Sequence, residues 1–238
     1  MNKHIVTFLL ITVFSTNQAQ AQFAFGATAG LNYSNIWGGR AFPRNPSAKF
    51  GFQFGATANY SFSERLSVEP KLLFSAQGFK SHQTFTDMTG GDKIKIRKTE
   101  NPYYIQMPVH LRYKLGGFGG RLSIHAGPYV GFAVGGYVKD EWFQDGKRMN
   151  KTKEKISYDE ICRRCAPIPM ATYSRAFDAG LGCGVSVNFN NIQVGFAGNA
   201  GLVGVSQRDV VFEYSEIFTY NSNSCLSLTV TYMFGKMN

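Results

Sequence analysis

Residues Tyr103–Leu115 read YYIQMPVHLRYKL, and their alternation decides the fold. One parity is Tyr103, Ile105, Met107, Val109, Leu111, Tyr113 and Leu115; the other is Tyr104, Gln106, Pro108, His110, Arg112 and Lys114. Successive side chains of a β-strand point to opposite faces. The segment is therefore a strand with one wholly apolar face and one charged face. A soluble barrel would turn the apolar face inward and a membrane barrel would turn it to lipid, so alternation alone leaves the inside undecided.

The same period-two reading gives eight runs, starting at Gln22, Lys49, Arg65, Tyr103, Arg121, Arg175, Asn191 and Cys225. Phe50, Phe52, Phe54, Ala56, Ala58, Tyr60 and Phe62 alternate with Gly, Gln, Thr, Asn and Ser, and Leu226, Leu228, Val230, Tyr232 and Phe234 alternate with small or hydroxylic residues and Met233. The 21 Phe, 12 Tyr and 26 Gly against 8 Pro favour strands over helices.

The gaps choose between the two barrels. Ser63-Glu64, the GGFGG of residues 116–120 and Asn190-Asn191 are short turns. The other four gaps are long: SNIWGGRAFPRNPSA, the stretch around HQTFTDMTGGDKIKIRKTE, residues 139–173 and QRDVVFEYSEIFTYNSNS. Short turns at one end and long loops at the other are the habit of outer-membrane barrels, less so of soluble lipocalin-like ones. Aromatics near both ends of the apolar stripes (Phe50 and Tyr60 or Phe62; Tyr103 and Tyr113) fit two interfacial girdles. Closure follows, because an open sheet edge would leave backbone groups unpaired in hydrocarbon.

The N-terminus MNKHIVTFLLITVFSTNQAQAQF has a Lys and His, an apolar run from Ile5 to Phe14 and an Ala19-Gln20-Ala21 site. This is the order of a secretory signal peptide, and ten apolar or near-apolar residues are too few for a spanning helix, which needs about 20. Residues 1–21 are thus expected to be a signal peptide and 22–238 a single barrel domain. The expected fold is all-β: an eight-stranded antiparallel up-and-down transmembrane β-barrel, exported to the cell outer membrane.

The formal charge of +10 raises nucleic acid as a partner, and export argues against it. The basic stretches GGDKIKIRKTE and KDEWFQDGKRMNKTKEK read as solvated loops, with attraction to an anionic surface or glycan as the alternative. Outer-membrane lipid is the expected surrounding, and the external loops, residues 140–174 above all, offer a place for a protein or glycan partner.

If the charged parity faces inward, it brings Glu69, Lys71, His110, Arg112, Lys114, His125 and Asp178 into the lumen, with Tyr129 among them. Glu69 on the third run and Arg112 or Lys114 on the fourth lie on neighbouring antiparallel strands and are expected to meet. Buried charges need partners, so the expectation is a plug of paired charges filling an interior that eight strands leave narrow. A proton-linked or ion-selective passage is the alternative. The sequence contains no G-x-S-x-G elbow, H-E-x-x-H pair or phosphate-binding glycine loop, and no catalysis, cofactor or metal is expected. Cys162 and Cys165 form CRRC in the longest loop, readable as a local disulfide, as free thiols or as half a metal site. Cys183 should face outward and Cys225 inward.

The segments FGATAGLNYSNI, LSVEPKLLFSAQGFK, YYIQMPVHLRYKL, LSIHAGPYVGFAVGG and LSLTVTYMF, in that order, resemble the PorT-like outer-membrane β-barrel family of Bacteroidetes, from about Phe23 to Phe234. The resemblance implies the same location and fold, and no catalytic residues. The family's named representative is an accessory factor of gliding and type IX secretion, which makes such a role an alternative beside a structural or partner-binding one and a narrow or gated pore. The CRRC pair and the basic loop stand outside the family pattern.

Overall fold

The computed structural model describes residues 23–37, 46–86, 93–115, 119, 121–156, 158, 175–204 and 221–234. The expected signal segment, both CRRC cysteines and most of the GGFGG turn lie outside the described residues. Among the described residues there are ten strands: β1 Phe23–Trp37, β2 Ser47–Ser61, β3 Leu66–Ala76, β4 Phe79–Thr86, β5 Lys93–Lys114, β6 Leu122–Gln144, β7 Lys147–Lys155, β8 Phe177–Phe189, β9 Ile192–Gly201 and β10 Ser222–Met233.

Eight of them close a ring. β1 pairs β2, β2 pairs β3, β3 pairs the second half of β5, and β5 pairs β6. β6 pairs β8, β8 pairs β9, β9 pairs β10, and β10 returns to β1 from Gly26–Met233 to Trp37–Ser222. Every pairing is antiparallel. These are the eight runs read from the sequence, and among the described residues no helix is long and apolar enough to cross a membrane. The crossing is made by strands.

The barrel is inside out relative to a soluble protein. Leu111 is 52% exposed on the outer surface and its neighbour Arg112 is 1% exposed in the lumen. Leu31, Phe52, Val185, Phe196 and Leu228 share the outer face, while Thr28, Asn32, Gln53, Asp178, Ser186 and Thr231 are buried within. Outer aromatics gather in two belts. Tyr33 packs on Phe50 with centroids 5.0 Å apart and Phe74 on Tyr103 at 5.7 Å, at the end away from the short turns. Tyr60 packs on Phe62 at 5.0 Å and Tyr232 on Phe234 at 5.5 Å at the turn end. From Tyr103 to Tyr113 is ten residues, about 25 Å along the normal for strands rising about 3.3 Å per residue at a tilt of about 40°. That matches the apolar band of an outer-membrane barrel.

Two stretches expected to be loops are instead sheet. β5 begins ten residues before Tyr103, and β6 runs on past the ring to Gln144. Their outer halves pair with each other from Ile94–Gln144 downward, with β4 on one side and β7 on the other. A four-stranded sheet, β4-β5-β6-β7, therefore rises above the rim. Its hairpin turn is Asp145-Gly146, both with positive φ (46° and 82°) and flanked by the Gln144–Lys147 pair. This is the backbone shape that Asp-Gly adopts readily in a two-residue hairpin. β3 and β4 lie end to end along β5, broken at Gln77-Gly78. Gly78 has φ +137°, and the Ser34 hydroxyl accepts from its N–H at 2.9 Å and donates to its carbonyl at 2.8 Å.

Candidate functional site

The lumen holds two polar clusters. In the one nearer the short turns, Glu69 stands on β3 and Arg112 on β5. Arg112 is paired in register with Ser67, so it reaches diagonally to Glu69, Nη1 to Oε2 at 3.3 Å. Lys71, two residues along the same face of β3, places Nζ 2.8 Å from Glu69 Oε1. Arg112 then crosses the barrel: Nη1 donates to Gln193 on β9 at 3.4 Å, and Nη2 donates to Ser123 on β6 at 3.2 Å and to Asn188 on β8 at 2.6 Å. One guanidinium thus ties β5 to four other strands. Its planar fork of five donors suits that task, where an ammonium would not. Lys114 lies two residues nearer the turn, half-buried; Arg112, of the two, is the one that reaches Glu69.

Above this cluster the imidazoles of His110 on β5 and His125 on β6 stack, with centroids 5.0 Å apart and planes 25° apart. Glycines on β8 make room for them. A Cβ at Gly184 would sit 2.7 Å from His125 Nε2, and one at Gly182 would sit 3.1 Å from His110 Nε2. Neither ring nitrogen of His110 has a protein hydrogen-bond partner. Both rings border a cavity of about 30 Å³, also lined by Lys71, Gln193 and Asn199, a volume that admits about two waters.

Asp178 belongs to the second cluster, toward the loop end. It accepts from Asn223 Nδ2 at 3.0 Å and from the Tyr129 hydroxyl at 3.3 Å, and Asn223 also donates to the Tyr104 hydroxyl at 3.3 Å. Beside it, Asn32 donates to Ser75 at 2.9 Å and Gln77 donates to Gln106 at 3.0 Å. The seven luminal residues read from the sequence are therefore divided: Glu69, Lys71 and Arg112 interact directly, His110 and His125 stack next to them, Lys114 flanks them, and Asp178 is held separately. The amides Asn188, Gln193 and Asn223 complete the clusters and were not singled out by sequence; their place on the inward parity of strands eight, nine and ten was the available signal. Among the described residues no group of three His, Cys, Asp or Glu is arranged to hold a metal. Cys183 is exposed and Cys225 buried, both as free thiols.

The raised sheet is electrostatically two-faced. On the face that continues the outer, lipid-side parity of β5, Lys80, Thr99, Lys139 and Lys153 form one cross-strand row, and His82, Arg97, Glu141 and Lys151 the next. Lys95, Phe143 and Arg148 follow, with Lys93 beyond them and Lys155 nearer the rim beside Tyr137. Among the described residues of this face, nine Lys or Arg thus stand with one carboxylate. Glu141 is contacted by Lys139 at 3.1 Å, Arg148 at 3.9 Å and Arg97 at 4.0 Å, and the hydrogen bond from Lys139 holds its carboxyl below the ordinary range. Arg97 lies over the Phe143 ring at 5.2 Å and Lys153 over Tyr137 at 4.2 Å. The opposite face is balanced, with Lys98 and Lys147 against Glu100, Asp140 and Glu154. There, burial pushes the Asp140 carboxyl up.

No curated protein sequence matches the chain. Among solved structures it is similar to the attachment invasion locus protein Ail of Yersinia pestis in complex with the heparin analogue sucrose octasulfate (10% identity, TM-score 0.39, 90% of this chain and 99% of that one). It is similar also to Neisserial surface protein A (9%, TM-score 0.39, 88% and 97%) and to the outer membrane protein AlkL in lipid bilayers (14%, TM-score 0.36, 89% and 90%). The family model of the outer membrane protein beta-barrel domain matches residues 18–207. With a closed eight-strand ring, an apolar outer band between aromatic belts and that match over most of its length, the chain belongs to the outer membrane protein beta-barrel domain family.

Proposed function

We propose that this outer-membrane barrel is a sealed support, without catalysis, that presents its raised sheet and external loops to a partner. One observation carries the reading: Arg112 spans the lumen and bonds to side chains on β3, β6, β8 and β9. A channel needs a continuous wet path, and here the narrow interior of an eight-strand barrel is crossed by a buried, hydrogen-bonded charge cluster. The binding element is then the part that departs from a minimal barrel, the β4-β5-β6-β7 sheet, and above all residues 140–174, which hold the end of β6, β7 and the segment that follows. The order of the AGLNYSNI, LLFSAQG, YYIQMPVHLRYK and AGPYVGF segments supports placing the chain within the PorT-like branch. A role beside a secretion apparatus is one form the partner-binding reading takes. The N-terminal 21 residues serve, in this reading, as the export signal.

Two measurements test it. Planar-bilayer recording on refolded protein is expected to be silent, and stable ion-selective steps would replace the sealed support with the narrow or gated pore. Crosslinking in intact cells is expected to capture a specific partner that is lost when residues 140–174 are shortened; equal capture by the shortened variant would sink the proposed binding element.

A further inference from the structure

The two faces of the raised sheet differ too much to be only a solvated surface. We infer that its basic face lies on the headgroup layer of the surrounding membrane and binds phosphate groups of outer-leaflet glycolipid. This rests on the proposed reading of the sheet as the binding element and names its ligand.

Continuity and charge carry the assignment. The face is the upward extension of the lipid-facing parity of β5: Tyr103, Ile105 and Met107 below, a buried Asn101 between, and Arg97 and Lys95 above; the register shift at Tyr103/Tyr104 comes from an extra residue, Val134, on β6, while β5 keeps one register along β3 and β4. Tyr103 marks the girdle. The Lys155 and Tyr137 row stands two residues above it and the Lys80, Lys139 and Lys153 row four residues above. At about 3.3 Å per residue and a tilt of about 40°, these rows sit about 5 and 10 Å above the hydrocarbon edge, in the headgroup zone. Lys80 and Lys153 are on the flanking strands β4 and β7, so the row spreads ammonium groups across the width of the sheet. Glu141, the single carboxylate among the described residues of this face, sits in the next row up. A face turned toward bulk solvent gains nothing from excluding carboxylates from its lowest rows, whereas one resting on phosphates does.

The test uses the full chain refolded in neutral detergent micelles and two probes, diphosphorylated lipid A and the same lipid with its phosphates removed. Wild type is expected to prefer the phosphorylated lipid, with the preference shrinking as salt rises. Each basic residue near an anionic surface is worth about five-fold, so the triple variant K80Q/K139Q/K153Q should bind phosphorylated lipid A about 100-fold more weakly and leave the dephosphorylated probe unaffected. The double variant K98Q/K147Q removes charge from the opposite face and should stay within about two-fold of wild type. Unchanged mobility of the unheated barrel on a gel verifies folding of each variant. Equal binding of the two probes by wild type, or an equal loss in the opposite-face variant, overturns the inference. So does a soluble sulfated oligosaccharide that displaces lipid A and binds more tightly, which would move the face to free polyanions. Conductance of the same samples separates this from the broader reading: channel steps with an intact phosphate preference sink the sealed support alone, and a silent barrel with no preference sinks the lipid site alone.

Discussion

Replacing Arg112 with alanine tests whether the luminal cluster holds the barrel together. The substitution removes the 3.3 Å ion pair with Glu69 and the donors to Ser123, Asn188 and Gln193. Breaking a buried pair by deleting one partner costs about 3–5 kcal/mol, because the other charge stays buried. Two features place this case at the low end. Lys71 remains 2.8 Å from Glu69, and Gln193, one of the abandoned partners, lines the polar cavity of about 30 Å³, so water can reach it. The expected loss is about 3 kcal/mol. Urea titration of protein refolded into lipid vesicles, followed by fluorescence of Trp37 and Trp142, measures it. The double variant E69L/R112M supplies the sharper reading, since apolar replacement of a whole buried pair is often neutral or stabilising. It should be more stable than Arg112→Ala. A loss below about 1 kcal/mol for Arg112→Ala, or a double variant no better than the single, would refute the assignment of this cluster as a structural tie.

Other positions answer separate questions. Leu228, mid-strand on β10 and facing out at 52% exposure, should lose about 2–4 kcal/mol on Leu228→Lys if it lies near the bilayer midplane; refolding equilibria in vesicles measure this, and a neutral result would mean that the surface does not face hydrocarbon. Gly184→Ala puts a methyl 2.7 Å from His125 Nε2 and closer still to the backbone of β9, so a lowered refolding yield is expected, and wild-type yield and stability would show that the His pair is loosely held. Asp140→Asn bears on pH. Burial raises the Asp140 carboxyl, so the charged form penalises the folded state above that raised pKa, and acidification through it relieves the penalty. The variant should gain stability at neutral pH and lose that advantage in acid, and a pH-independent difference between the two proteins would contradict the cause given.

The ring was legible in the sequence because lipid and lumen impose opposite demands on adjacent residues. Leu111 and Arg112 could not both be satisfied on one side of any sheet, and the same conflict repeats in run after run. The raised sheet was not read, because both of its faces meet polar surroundings at the exposed strands, and β7, with the sequence KRMNKTKEK, has no apolar parity to reveal. Two signals were nonetheless present: the alternation of Ile94 and Ile96 with Lys93, Lys95 and Arg97, and the Asp145-Gly146 pair between β6 and β7. Within the site, parity placed Glu69 and Arg112 on one side of the wall but could not divide the network. That division depends on register, which puts His110 opposite Glu69 and sends Arg112 across the diagonal, and on the height of Asp178 up β8.

The sheet and the barrel share strands, yet their stabilities should separate. Ring closure uses Tyr103–Lys114 of β5 and residues 122–135 of β6, and β8 joins β6 from Leu122–Val187 to Phe132–Phe177. None of those pairs involves a residue between 140 and 174. A chain in which that span is replaced by a short turn retains both polar clusters and the whole ring, and loses β7 with the end of β6. It should refold into vesicles with urea stability within about 1 kcal/mol of wild type, as expected for surface changes that leave a cooperative core intact. Its phosphorylated lipid A binding should weaken with the loss of Lys153 and the other basic residues of β7. Collapse of the ring on this replacement would show instead that the raised sheet holds β5 against β6, and its basic face would then have to be read first as part of the fold.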